Sequence, residues 1–309
     1  MMNKLAAPSL PKFIKDQLPT NIRRYSLKVD NHLMHLMEYG PADGYPLLLV
    51  HGNPTWGFLY RKVITALPVD TFRCIMPDLI GLGFSSKPND LSIHTLANHA
   101  HWQAEMLRQL ALPEVIFVGQ DWGGAIGVHA LRQVTDQTTT KGMVVLNTAL
   151  APPKPSFRPT TFHKFSRMPL ISTLAFRLLG FPQNGLHRVQ GNPDSIKGEV
   201  AKAYKYPLKG FSNNAAPLAM ARMVPNSLEH PSIKQLAEVK AFVEAFSGPA
   251  AIIWGMNDPV LRKLFKRTAR LLPQATTLQT QGGHFVQEEN EQEIAQAIVD
   301  VYQKIQATT

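Results

Sequence analysis

The run Tyr45-Pro46-Leu47-Leu48-Leu49-Val50-His51-Gly52 limits what this chain can fold into more than any other stretch. A strand with one wet face alternates apolar and polar residues. This run is apolar at successive positions and stops at a glycine, as short strands buried on both faces do. Apolar strand-length segments recur at 71–78, 115–119, 141–147 and 250–255, and the more polar 276–283 also reads as a strand. Helical patterns lie between them. One spans 58–67 with Thr55 as its expected cap. A long one ends at Leu110, with Ser92 as its expected cap and Leu96, Ala100, Leu107 and Leu110 on one face. Others cover 123–133, 260–271 and 290–305, the last striped by Ile294, Ile298, Val301 and Ile305. Strand–helix alternation of this kind predicts an α/β fold: a mostly parallel sheet with helices on both faces. A hairpin, 24–29 and 33–38 about the turn Asp30-Asn31, is expected to open it.

The rhythm breaks from about 149 to 225, a stretch rich in Pro, Phe and basic residues, with a short helical piece at 170–179. An inserted helical cap explains the break. It divides the chain into a first core part (1–148), a cap (149–225) and a second core part (226–309). With 309 residues, 44% of them apolar and 17% charged, the chain can bury a large core. The net charge of +10 is concentrated in residues 151–210, which hold ten Lys or Arg against Asp194 and Glu199. No nucleic-acid motif accompanies this charge. The lone Cys74 excludes an intramolecular disulfide, is expected to be buried and inert, and fits a cytoplasmic protein. The amino-terminal residues do not read as a signal peptide, and no apolar run reaches the roughly 18 residues of a transmembrane span.

The chemistry gathers at strand ends. The strand 115–118 runs into Gly119-Gln120-Asp121-Trp122-Gly123-Gly124 and then a helix. A strand, a tight glycine-flanked turn and a helix lift one side chain above the sheet, next to a helix N-terminus. Serine is the usual occupant, and here it is Asp121. A carboxylate is anionic at neutral pH and can displace a leaving group from an sp³ carbon, forming an ester with the protein. Taken alone, the hexapeptide also reads as an ordinary helix-capping aspartate. Two further residues sit at strand ends: Asp258 in Trp254-Gly255-Met256-Asn257-Asp258-Pro259, and His284 in Gly282-Gly283-His284-Phe285. The order Asp121, Asp258, His284 is the nucleophile–acid–base order of α/β-hydrolases. Asp258 would orient the imidazole and stabilise its charged form. The strand 141–147 ends in Asn147-Thr148 with no acid nearby, which leaves Asp258 as the better candidate.

The segments HGNPTWGFLYR, PDLIGLGFSSKP, GQDWGG, WGMNDP and GGHF, in this order, resemble the haloalkane dehalogenases over roughly residues 24–305. The cap pieces 203–207 and 221–225 resemble that family too. The resemblance implies an α/β-hydrolase fold and a hydrolase that cleaves a carbon–halogen bond through an alkyl ester on Asp121. It also implies a halide-binding pair, the Asn53 amide and the Trp122 indole N–H. Donors aimed at a departing anion in a dry pocket stabilise the transition state more than the substrate. No cofactor or metal is required. The partners implied are a small apolar halogenated substrate and water.

Relatives that cleave β-lactones share the triad and the halide-site positions. Epoxide hydrolysis also uses an aspartate elbow, with Tyr204 and Tyr206 as the proton donors it would need. The basic cap leaves open self-association into a homo-oligomer or contact with a charged surface.

Overall fold

The computed structural model describes residues 3–308. Nine strands form one sheet in the order β1-β2-β3-β5-β4-β6-β7-β8-β9. Their ranges are β1 Leu5–Ala6, β2 Arg23–Val29, β3 His32–Tyr39, β4 Tyr45–Val50, β5 Phe72–Pro77, β6 Glu114–Gln120, β7 Thr139–Leu146, β8 Ala250–Gly255 and β9 Thr276–Thr280. The first three strands form an antiparallel edge, which joins β5 antiparallel. From β5 to β9 every pairing is parallel.

The expected hairpin is β2–β3. Its turn residue Asp30 holds φ at 49°, a left-handed conformation that aspartate tolerates better than most residues. The two-residue β1 was not expected, because so short a strand leaves no pattern to read.

The continuous apolar run of β4 is divided between two cores. Leu48 and Val50 enter one cluster with Val115 and Phe117 of β6. Leu47 and Leu49 enter the other with Ile116 and Val118. Helices Leu96–Leu110, Trp122–Arg132 and Ser232–Ala245 pack against one another over the first core, and Glu291–Gln306 and Arg61–Ala66 cover the second. Strand order reverses at β4, which lies between β5 and β6. The chain leaves the ends of β4 and β6 in opposite directions there, and a crevice opens where ligands bind in such sheets.

Two expected caps are corrected. The long helix starts at Leu96, not near Ser92, because Thr95 accepts a hydrogen bond from the Asn98 N–H. Ser92 lies in a separate 3₁₀ turn capped by Asp90. Thr55 caps no helix: its hydroxyl donates to the Gly52 carbonyl at 3.0 Å, and the chain enters a 3₁₀ turn at Gly57–Tyr60 before the α-helix Arg61–Ala66. The helix expected at 260–271 begins as a 3₁₀ turn, Arg262–Leu264, and is α-helical over Phe265–Leu271.

PDLIGLGFSSKP has an organising role. The buried Asp78 carboxylate accepts from the Gly57 N–H at 2.8 Å and the Phe84 N–H at 2.7 Å, and lies 2.8 Å from His35 Nδ1. One carboxylate thus pins the loops after β4 and β5 to β3. Between β7 and β8, helices and turns alone run from Thr161 to Ala245.

Candidate active site

Asp121 is the turn residue between β6 and the helix Trp122–Arg132, with φ 49° and ψ −130°. Such a conformation costs a non-glycine residue of order 1–3 kcal/mol and persists only where the surroundings enforce it. Here the Asp121 N–H donates to the Asn147 carbonyl at 3.0 Å, and the Thr148 hydroxyl donates to the Asp121 carbonyl at 2.5 Å. Glycines allow the close approach. A Cβ on Gly52 would stand 2.4 Å from Asp121 Oδ2, and one on Gly123 would stand 2.2 Å from the Val50 carbonyl.

The three residues singled out at strand ends come together. His284 Nδ1 lies 3.0 Å from Asp258 Oδ2, and His284 Nε2 lies 3.8 Å from Asp121 Oδ1. The first contact is a hydrogen bond, so Nδ1 carries the proton. The second is too long for one. It leaves Nε2 facing Asp121 without a hydrogen bond to it. The Asp121 side chain is 17% exposed, against 6% for His284 and none for Asp258, so Asp121 is the most accessible of the three.

Asp258 is held from two sides, by Asn147 Nδ2 at 2.8 Å and the Val260 N–H at 2.7 Å. Asn147 is in turn fixed by the Gly255 N–H, which donates to its Oδ1 at 2.8 Å. The imidazole backbone is held too: the Gln120 amide donates to the His284 carbonyl at 3.0 Å, and the His284 N–H donates to the Val189 carbonyl at 2.8 Å. Sequence reasoning missed Asn147, Gln120 and Thr148 as supports. The signal available for Asn147 was its position at the carboxyl end of a central strand, level with the end of β8.

These surroundings set the charges. Burial pushes the Asp121 carboxyl above the usual carboxylate range, although His284 and the N–H groups of Trp122 and Asn53 oppose the shift. Burial also opposes the Asp258 charge, but His284, Asn147 and Val260 outweigh it and hold that carboxyl below the ordinary value. For His284, burial disfavours the imidazolium, and the two carboxylates together outweigh it and raise its pKa.

The expected halide donors flank Asp121. The Asn53 N–H donates to Asp121 Oδ2 at 2.9 Å. Both side-chain donors, however, are engaged by the helix Ala215–Met223: Asn53 Nδ2 donates to the Pro217 carbonyl and Trp122 Nε1 to the Met220 carbonyl, each at 3.1 Å. Asn53 Oδ1 is buried without a hydrogen-bond partner. Gly81 lets this helix come close, since a Cβ there would lie 2.2 Å from Ala216 Cβ. A cavity of about 410 Å³, lined in part by Thr140, Lys141 and Pro249, lies at the opposite, amino ends of β7 and β8 and takes no part in the site.

The tyrosines weighed for epoxide chemistry are committed elsewhere. The Tyr204 hydroxyl donates to Glu288, which also holds Arg61 by two bonds of 2.6 and 2.9 Å. Tyr206 packs edge-on to Phe13 and beside Phe84. Cys74 is buried in β5, and burial raises its thiol pKa to about 12, which makes it inert.

A parallel sheet with its order reversed at β4, a strained carboxylate on the turn after β6, and an acid–histidine pair at the ends of β8 and β9 define an α/β hydrolase with an aspartate at the nucleophile position. The sequence profile of the alpha/beta hydrolase fold family matches residues 45–291. Haloalkane dehalogenase 1 of Mycobacterium bovis is 30% identical over 259 residues, covering 82% of each chain. The haloalkane dehalogenase of Mycobacterium marinum is 29% identical over 271 residues, covering 86% of this chain and 87% of the relative. The chain belongs to the haloalkane dehalogenase family of α/β hydrolases. Solved structures share the fold. Haloalkane dehalogenase DbeA from Bradyrhizobium elkani USDA94 superposes with a TM-score of 0.82 at 22% identity, covering 94% of this chain and 100% of the other. DpaA from Paraglaciecola agarilytica NO2, a tetrameric haloalkane dehalogenase, gives 0.75 at 24% identity, covering 96% and 97%.

Proposed function

We propose that the protein hydrolyses a carbon–halogen bond to an alcohol and halide through an alkyl ester on Asp121, with residues 149–225 forming the cap over the reaction. The observation that carries this reading is the line Asp258–His284–Asp121, whose 3.8 Å break lies between imidazole and nucleophile. An aspartate needs no base to attack an sp³ carbon, so the histidine is free for a second step.

In the first step an Asp121 oxygen attacks the halogen-bearing carbon in line. The C–X electron pair leaves with the halide, which takes the Asn53 and Trp122 side-chain donors from the Pro217 and Met220 carbonyls. The helix Ala215–Met223 must shift for this. Ester formation removes the Asp121 charge, one of the two that raise the His284 pKa. The imidazolium is thereby weakened and the neutral base favoured when it is needed. His284, oriented by Asp258, then takes a proton from water attacking the ester carbonyl. The N–H groups of Asn53 and Trp122, which face this carboxylate, receive the developing oxyanion. Alcohol and Asp121 are released, and halide and a proton leave.

A small apolar halogenated alkane and water are the reactants on this reading, and the buried single cysteine accords with a reducing cytoplasm. Halide release from brominated and chlorinated alkanes tests it. We expect bromide from the wild type and a loss of at least about 10⁴-fold in Asp121→Asn. Release undiminished in that variant would sink the mechanism.

A further inference from the structure

One helix of the segment between β7 and β8 is built inside out. Ile171–Thr173 and Leu174–Leu178 run on as a single helical stretch. Its inward side chains include polar ones. Ser172 is fully buried and receives Arg222 Nη2 at 3.0 Å, while Arg177 is 9% exposed, donates to Asn89 and lies over the Phe211 ring at 4.0 Å. Its outward side chains are apolar. Ile171, Leu174 and Leu178 share one face, Met168, Leu170 and Leu179 lie at its two ends, and these six, termed the ridge, are 42% to 84% exposed. Single exposed apolar residues are ordinary, but six within residues 168–179 are not.

The charge around the ridge is as one-sided. The two acids of residues 151–210 are paired with Lys197 and Lys202, which leaves eight cations in the stretch. Lys154, Arg158, Lys164, Arg188 and Lys209 are exposed. Lys164 lies on the helix Thr161–Arg167, which packs against Ile171–Thr173. Lys209 leads into the turn Ser212–Asn214, which packs against Leu174–Leu178. No helix among the described residues is long and apolar enough to cross a membrane.

We propose that this ridge docks on an anionic lipid bilayer. An outward apolar face with cations beside it matches a surface that offers both hydrocarbon and phosphate, with side chains entering about 5–10 Å. A second copy of the chain is a poorer fit, because two such surfaces would bring like charges together. The inference does not depend on the halide chemistry. It does bear on it, because buried Phe176 of the ridge helix packs on Leu218 and Ala221 of the helix that covers Asn53 and Trp122.

Flotation with vesicles tests the proposal, using phosphatidylcholine alone and with one third phosphatidylglycerol. The wild type is expected to float with the anionic vesicles at low salt, at least tenfold more than with neutral ones, and less as salt rises. Leu170→Ser/Leu174→Ser/Leu178→Ser and, separately, Lys164→Glu/Lys209→Glu are each expected to lose most of that binding with unchanged melting curves, since the replaced side chains are exposed. Wild type that stays off anionic vesicles at low salt overturns the proposal, as does undiminished binding by both variants. A fall in mass by light scattering in the triple serine variant, without vesicle binding by the wild type, assigns the ridge to self-association instead.

Discussion

Asp121 has two flanks, and they are held differently. On the His284 side the groups are held mainly from strand ends: Asp258 by Asn147 and the Val260 N–H, Asn147 by Gly255, and the His284 carbonyl by Gln120, while the His284 N–H is held by the Val189 carbonyl of the inserted segment. On the Asn53–Trp122 side the side-chain donors are each held by one carbonyl of the helix Ala215–Met223. The first flank is cross-braced, because Asn147, Gly255 and Gln120 stand at the ends of three adjacent strands. The second is held by single neutral hydrogen bonds, worth about 0.5–1.5 kcal/mol each. A base must keep one geometry, whereas an anion site must first be vacant and then closed. The difference between the flanks suits that division.

The largest expected effect separates the flanks by reaction step. His284→Gln should still form the ester but fail to hydrolyse it. Mass spectrometry after mixing with a brominated alkane should show a stable adduct on Asp121, and a clean unmodified mass would count against the assignment. Trp122→Phe removes a donor from the other flank. It should lower the rate of halide displacement by about 10²–10³-fold while costing at most about 1 kcal/mol of stability. Rapid-quench kinetics and urea melts read the two quantities separately.

Asn147→Ala strikes the cross-braced flank at its support. It leaves the buried Gly255 N–H without its side-chain partner and removes one donor from Asp258, so a loss of about 1–3 kcal/mol is expected in denaturant unfolding. Ester hydrolysis should slow more than halide displacement. The smallest effect on turnover is expected from Tyr204→Phe. It removes the hydroxyl from the Glu288 carboxylate for about 1.5–3 kcal/mol of stability and leaves turnover unchanged. A large loss of turnover there would revive a proton-donor role for this tyrosine.

The pH dependence should differ between the steps. On the proposed mechanism halide displacement needs ionised Asp121, whose pKa burial raises, so this step should fail on acidification above the usual carboxylate range. Hydrolysis, on the same proposal, needs neutral His284. Its pKa is raised in the resting enzyme, in part by Asp121, and loses that support in the ester. The apparent pKa for hydrolysis should therefore fall below that of the resting imidazole measured by NMR. Equal values would show that the Asp121 charge does not reach the histidine.

Much of the architecture was legible because it rests on local patterns. Doubly buried strands read as unbroken apolar runs, and β4 to β8 were found that way. Asp121 and Asp258 could be picked out because each follows such a run within a few residues, and His284 because it follows the last expected strand at a glycine pair. Helix starts were less legible. Ser92 and Thr95 are both good caps by type, and only the backbone geometry at Asn98 selects between them. Glu288, Arg61 and Tyr204 are far apart in sequence, and nothing local marks them as one buried cluster.

By itself, then, the sequence determined the order of the strands along the chain, the turn that raises Asp121, and the identity of the three groups that meet there. Periodicity and tight-turn chemistry act over a few residues, so a sequence carries them in full. The tertiary structure decided the rest: which carbonyls Asn53 and Trp122 engage, how Asn147 locks Asp258, and that the leucines of 170–178 face outward while Ser172 and Arg177 face in. Those outcomes depend on which surface packs against which across many tens of residues, and no local pattern records it.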